Sequence, residues 1–215
     1  MAAVLDPPRL ADNRIVLHNI SWGTYERLLE ELADCSAPRL TYDRGELEIM
    51  SPTAEHEKVN RTIDRLVSFV AFEMEVEVGD LGSTTFRLEG PNRGFEPDSC
   101  FYVQNEPLIR GKDRLDLTVD PPPDLVIEID ITTSSTKKRA ILAQFGVPEV
   151  WHYDGRQVEI LKLVSGAYVK SEASSVLPFF TAEVLTRLVA ESRTLSQLEW
   201  MKGVRDWARA QKESH

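Results

Sequence analysis

Between Leu125 and Ile131 the chain reads LVIEIDI, with apolar residues and acids in strict alternation. Successive side chains of an extended strand point to opposite faces. Leu125, Ile127, Ile129 and Ile131 therefore share one face, and Val126, Glu128 and Asp130 the other. The two carboxylates stand about 6–7 Å apart by the rise of a strand. Acids are depleted in strands and costly to bury unpaired, so this pair calls for a cation, a metal or water. Lys138 follows closely, spaced i+3, i+4 and i+7 from Ile141, Leu142 and Phe145. That spacing turns it onto the packed face of a short helix, near its N-terminus, and leaves Lys137 and Arg139 off that face. The bland alternative is a lysine that snorkels past the core edge to solvent.

Two more residues belong with these three. Asp98, in PDSCFYV, shares a strand face with Cys100 and Tyr102, while Ser99, Phe101 and Val103 take the other. Alone, an aspartate after Pro97 is equally a turn or strand-entry residue. His56 opens a helix whose stripe is Val59, Ile63, Leu66, Val67, Val70 and Met74. At about 100° per residue it falls within about 30° of the stripe's centre, with Glu55 about 70° off and Glu57 on the far side. So His56 faces inward, either to a partner opposite the helix start or, as a core-edge histidine, to a backbone carbonyl. Acids bind a hard divalent cation, and a lysine beside them can activate a water or stabilise charge on a phosphate. Asp98, Glu128 and Lys138 brought together would make a site for phosphodiester hydrolysis.

Several elements must position these groups. Residues 20–32 give an amphipathic helix with Thr24 as its N-cap, and LTYDRGELEIMSP reads as a hairpin turning at Asp43-Arg44-Gly45. Ser51 or Thr53 caps the long helix from about Ala54 to Met74. Residues 75–78 and STTFRLEG read as strands about a turn at Gly79–Gly82, and GFEPDSCFYVQ as another. The polar stretch NEPLIRGKDRLDLTVDPPP reads as a rim or flap. TTSS at 132–135 supplies a turn and cap before the Lys138 helix, which Gly146 closes. VPEVWHYD and VEILKLV form a hairpin about Asp154-Gly155, and residues 181–212 form two amphipathic helices, the second opened by a Thr194/Gln197 capping box.

At 215 residues, with no Gly/Ser linker and no repeat, the chain reads as one domain. No apolar run could span a bilayer, and MAAVLDPPRLADNR lacks a charged start followed by an apolar stretch, so the expected place is the cytoplasm. Cys35 and Cys100 form neither a metal spacing nor a disulfide framework and read as free buried thiols. A net charge of −10 argues against a protein that coats nucleic acid non-specifically, and is compatible with a local basic groove or an acidic metal pocket.

Pro97-Asp98 followed by Glu128 in an apolar strand resembles the PD-(D/E)xK nuclease superfamily. More closely, MSPTAEHEKV, PDLVIEID, Lys138 and GVPEVWHYD, in that order over about residues 40–164, resemble the Uma-type restriction endonuclease family of bacteria. The resemblance implies an α/β, restriction-endonuclease-like core of mixed sheet flanked by helices, here with an added N-terminal hairpin and C-terminal helices. It implies Mg²⁺-dependent DNA cleavage, with Mn²⁺ as a substitute, and metal ligation by Asp98 and Glu128. The superfamily lysine stands two residues after the glutamate, where this chain has Asp130; Lys138 matches a displaced family lysine on the next helix. Asp130 is then a third metal-side acid or a partner of Lys138. His56 matches a family histidine that orients an acid or contacts a phosphate. Cutting both strands takes two sites, so a homodimer is expected, with the amphipathic tail as its interface. Two alternatives stay open: a nucleic-acid-binding or interaction module with a decayed site, and acids that are purely structural partners of Lys137, Lys138 or Arg139.

Overall fold

The computed structural model describes residues 13–213 except 34, 36, 91 and 132–135, without the side chains of 136 and 137. In chain order its elements are β1 (Asn13–Leu17), α1 (Trp22–Glu31), β2 (Arg39–Asp43), β3 (Glu46–Ser51), α2 (Ala54–Glu73), β4 (Gly79–Gly82), β5 (Phe86–Leu88), β6 (Arg93–Phe95) and β7 (Ser99–Tyr102). There follow α3 (Glu106–Ile109), β8 (Leu125–Ile129), α4 (Thr136–Gln144), β9 (Glu149–Tyr153), β10 (Val158–Val164), β11 (Ala167–Ser171), α5 (Ala182–Glu191) and α6 (Gln197–Glu213). The architecture is mixed α/β. One sheet runs β11-β10-β9-β8-β7-β4 and the other β1-β3-β2-β6-β5, with helices packed around them.

Strand β8 is central in the first sheet. It pairs antiparallel with β7 and parallel with β9, and α4 makes the crossover that a parallel pair requires. Its alternation sorts two cores. Leu125, Ile127, Ile129 and Ile131 pack with α2, α5 and α6 through residues such as Val67, Leu185 and Trp200, while Val126 packs with Cys100, Tyr102, Ile141 and Leu142 on the α4 side. At roughly 1.5–3 kcal/mol for each large side chain taken from water, these faces hold the strand's register. The hairpin β2–β3 lies in the middle of the second sheet, flanked by β1 and β6. Its turn residues Arg44 and Gly45 have φ of 48° and 97°, the left-handed pair that a two-residue hairpin needs. Gly94 in β6 lies against Tyr25, where a Cβ would collide with the phenol hydroxyl.

Several expectations shift. Ser21, not Thr24, caps α1 by accepting the Thr24 amide, and Ser196 with Glu199 forms the capping box of α6, two residues beyond the expected pair. Thr53 caps α2. The strand expected at 75–78 lies instead at Gly79–Gly82, where pairing with β7 overrides the weak strand propensity of glycine. The rim at 104–122 holds the short α3 and is pinned by the Lys112–Asp120 ion pair and by Tyr102 Oη donating to Pro121 O at 2.9 Å. Cys100 is buried but Cys35 is exposed. β1 and β11, which carry no apolar alternation strong enough to mark them, join the sheet edges. The apolar stripe of α6 is engaged within the chain, with Trp200, Val204 and Ala208 in the core. The turn expected at 132–135 and the N-terminal reading of residues 1–12 fall outside the described residues.

Candidate active site

The β7–β8 ladder ends beside the acids. Ser99 pairs with Ile127, so Asp98 lies one step on, next to Glu128 and on the same face. Asp98 Oδ2 accepts the Ile129 amide at 2.7 Å, which ties the aspartate to the strand that carries the glutamate. Its Oδ1 meets His56 Nε2 at 2.9 Å and the Arg39 guanidinium. Arg39, at the start of β2, also donates to Glu57 Oε1 at 2.6 Å. The nearest Arg39 nitrogen lies 3.2 Å from His56 Nε2. Both groups cannot donate to each other, so the imidazole proton on Nε2 is directed at Asp98. Asp98 and His56 are 2% and 0% exposed. Burial alone would raise the Asp98 carboxyl, but the His56 hydrogen bond and the Lys138 and Arg39 charges outweigh it and hold the group well below the usual carboxylate range.

Glu128 has a different setting. Its Oε2 lies 2.5 Å from Lys138 Nζ, and its Oε1 is buried without a hydrogen-bond partner among the described residues. Desolvation pushes the carboxyl up to about 8 against the Lys138 attraction, with the Asp98 charge adding to the rise. Lys138 is itself buried; burial would lower its amine, but Glu128 and Asp98 raise it, so it stands as an ammonium at neutral pH. It does not snorkel.

Asp130, on the same strand face, is 3.0 Å from His152 Nε2 and 3.3 Å from Arg14. Thus Asp98, Glu128 and Lys138 come together with His56 at the ends of β7 and β8, while Asp130 holds a separate pair of partners one step along.

Four participants went unread in the sequence: Arg39, Arg14, His152 and Glu57, the last placed on the far side of its helix, where it is indeed half-exposed. His152 carried a legible signal, since it alternates with Val150 in an apolar strand and the βαβ order places that strand beside the acids. The two arginines carried none, because they come from the second sheet and meet the acids only through tertiary packing.

The Uma2 family, described as "Putative restriction endonuclease", matches residues 22–193. The chain belongs to this family. The fold is similar to a crystal structure from Anabaena variabilis described as a putative nuclease belonging to DUF820, with 16% identity, a TM-score of 0.49, and 84% of this chain and 98% of that one covered. No curated protein matches the chain. Among the described residues of this Uma2 member, no three His, Cys, Asp or Glu side chains cluster as a ready metal cage. The candidate donors are instead two adjacent carboxylates, one with a buried oxygen that has no hydrogen-bond partner among the described residues. That set suits a hard cation such as Mg²⁺, which takes one or two carboxylates and completes its shell with water and substrate oxygens. No helix among the described residues is long and apolar enough to cross a membrane.

Proposed function

We propose that this Uma2 member is a divalent-cation-dependent endonuclease that hydrolyses DNA phosphodiester bonds, with Asp98 and Glu128 as metal ligands and Lys138 as a catalytic cation. The reading is supported by one observation: an ammonium held 2.5 Å from a buried glutamate, whose second oxygen has no hydrogen-bond partner among the described residues, beside an aspartate held well below the usual carboxylate range. A bound Mg²⁺ or Mn²⁺ would supply charge neutralisation at the phosphodiester. Lys138 adds a second positive charge there. Being an ammonium, it stabilises developing charge rather than taking a proton from water. His56 and Arg39 orient Asp98, with the Ile129 amide fixing its other oxygen. The low dielectric of the buried site strengthens each of these interactions.

The test is cleavage of plasmid and single-stranded DNA with Mg²⁺ or Mn²⁺, expected in the wild type and lost in Glu128→Ala; cleavage that survives the substitution rejects the reading.

A second reading has one specific observation behind it. Both acids already hold cations, Asp98 through Arg39 and Glu128 through Lys138, so the cluster is also self-consistent as a structural network in a decayed, nucleic-acid-binding member of the fold. DNA binding without turnover in any divalent cation would select it.

A further inference from the structure

We propose that His152, with Arg139 and Asp130, is a positioning unit that clamps α4 to the sheet and thereby holds the Lys138 ammonium against Glu128. Its functional meaning rests on the reading of Lys138 above. Parallel pairing of β8 with β9 sets Glu128 opposite His152. Consecutive residues of α4 then reach two neighbouring strands: Lys138 meets Glu128 on β8, and Arg139 Nη2 lies 3.1 Å from His152 Nδ1 on β9. Arginine can only donate, so His152 Nδ1 must accept and its proton resides on Nε2, which donates to Asp130 Oδ2 at 3.0 Å.

The imidazole is thus fixed by two oriented bonds of opposite sense. The chain continues at both ends. Arg14 meets Asp130 at 3.3 Å and Glu48 at 3.5 Å, while Arg139 reaches Glu159 on β10 at 3.8 Å. The unit therefore links β1, β3, β9, β10 and α4 with the residue that follows β8.

Packing alone does not ask for a histidine here. His152 is 6% exposed and stands beside Leu142 and Val150, where an apolar side chain of similar size would fill the space. What leucine could not supply is the link between Arg139 and Asp130, and that link fixes the first turn of α4, in which Lys138 immediately precedes Arg139.

Competitive acetylation of the folded full-length protein with acetic anhydride, read by mass spectrometry, tests this without requiring turnover. In the wild type, Lys138 should react at least about tenfold more slowly than the exposed Lys202, as a group reached only by local opening. His152→Leu and Arg139→Met should each raise the Lys138 rate by about tenfold and leave Lys202 unchanged. His152→Gln, which keeps a donor for Asp130, should retain part of the protection. In cleavage assays, His152→Leu should lower kcat by about tenfold or more with KM nearly unchanged, the mark of lost orientation.

Unchanged Lys138 protection in folded His152→Leu, or in Arg139→Met should the first variant not fold, overturns the proposal. Protection that behaves as expected in a protein that never cleaves DNA counts against the nuclease reading and leaves the clamp standing.

Discussion

Two aspartates flank Glu128, and each grips a histidine Nε2 and an arginine: Asp98 with His56 and Arg39, Asp130 with His152 and Arg14. Even the outer partners correspond, since Arg39 reaches Glu57 and Arg14 reaches Glu48. The difference lies in what else each aspartate holds. Asp98 takes a backbone amide from β8 and sits beside Glu128, so its donors fix a carboxylate oxygen where a ligand to a cation would be needed. Asp130 holds a histidine that faces a helix, so its donors fix a helix. The same three side-chain types are built twice around one glutamate; on the proposed reading they would serve ligand geometry on one side and scaffold geometry on the other. Asp64, a buried aspartate outside both clamps, makes a contrast. It has Arg61 at only 3.5 Å and an Oδ1 with no hydrogen-bond partner among the described residues, and desolvation raises its carboxyl to about 6 against the opposing pull of Ser99 and Arg61.

The largest expected contrast is between Asp98→Asn and Asp130→Asn. The first should reduce cation-supported DNA cleavage by about 10²–10³-fold or more. It should also cost about 3 kcal/mol of stability by leaving buried cations underpaired. The second should cost about 1–2 kcal/mol, the worth of its hydrogen bonds, and act on kcat through α4. Equal losses of activity and stability in urea melts and cleavage assays would erase the distinction.

Next in size is the pH dependence of cation binding. Burial pushes the Glu128 carboxyl up to about 8, and ligation requires the carboxylate. Mn²⁺ affinity measured calorimetrically should therefore rise about tenfold per pH unit from 6 to 8, with one proton released per ion bound. A flat profile would remove Glu128 from the ligand set.

Arg39 sharpens the Asp98 side further, because one guanidinium is shared between Asp98 and Glu57. Arg39→Met should tighten Mn²⁺ binding and Glu57→Gln should weaken it, each by about three- to tenfold through nearby charge. Matching shifts of the same sign would contradict competition at Asp98.

The smallest effect concerns stability and pH. Asp64 has a folded value near 6, above its unfolded 3.8, so its ionised form is penalised in the fold and stability grows as pH falls through 6. Asp98 has the opposite sign: held below its unfolded value, it stabilises above about pH 4 and loses that contribution as pH falls further. Asp64→Asn should gain about 1–3 kcal/mol at pH 7.5 and nothing at pH 4, read from thermal melts.

Much of this was readable from residue order. The alternation of 125–131 sorted the two cores as the structure has them, the α2 stripe turned His56 inward, and the spacing of Lys138 with Ile141, Leu142 and Phe145 buried the lysine. These signals are periodic, and periodicity survives in sequence. The displaced strand at Gly79–Gly82, the partition into two sheets and the arginine halves of both clamps depend on pairings between distant segments, which leave no local mark. The caps of α1 and α6 slipped by two or three residues because serine and threonine cluster at both starts and each can cap.

The bond from the Ile129 amide to Asp98 has a bearing on how the protein matures. A slip of β8 by one residue against β7 would swing Glu128 through to the opposite side of the sheet and at the same stroke take the amide away from Asp98. Correct strand alignment and assembly of the acidic pair are therefore coupled, and a copy caught in the wrong alignment during synthesis lacks the Asp98–Glu128 pair altogether.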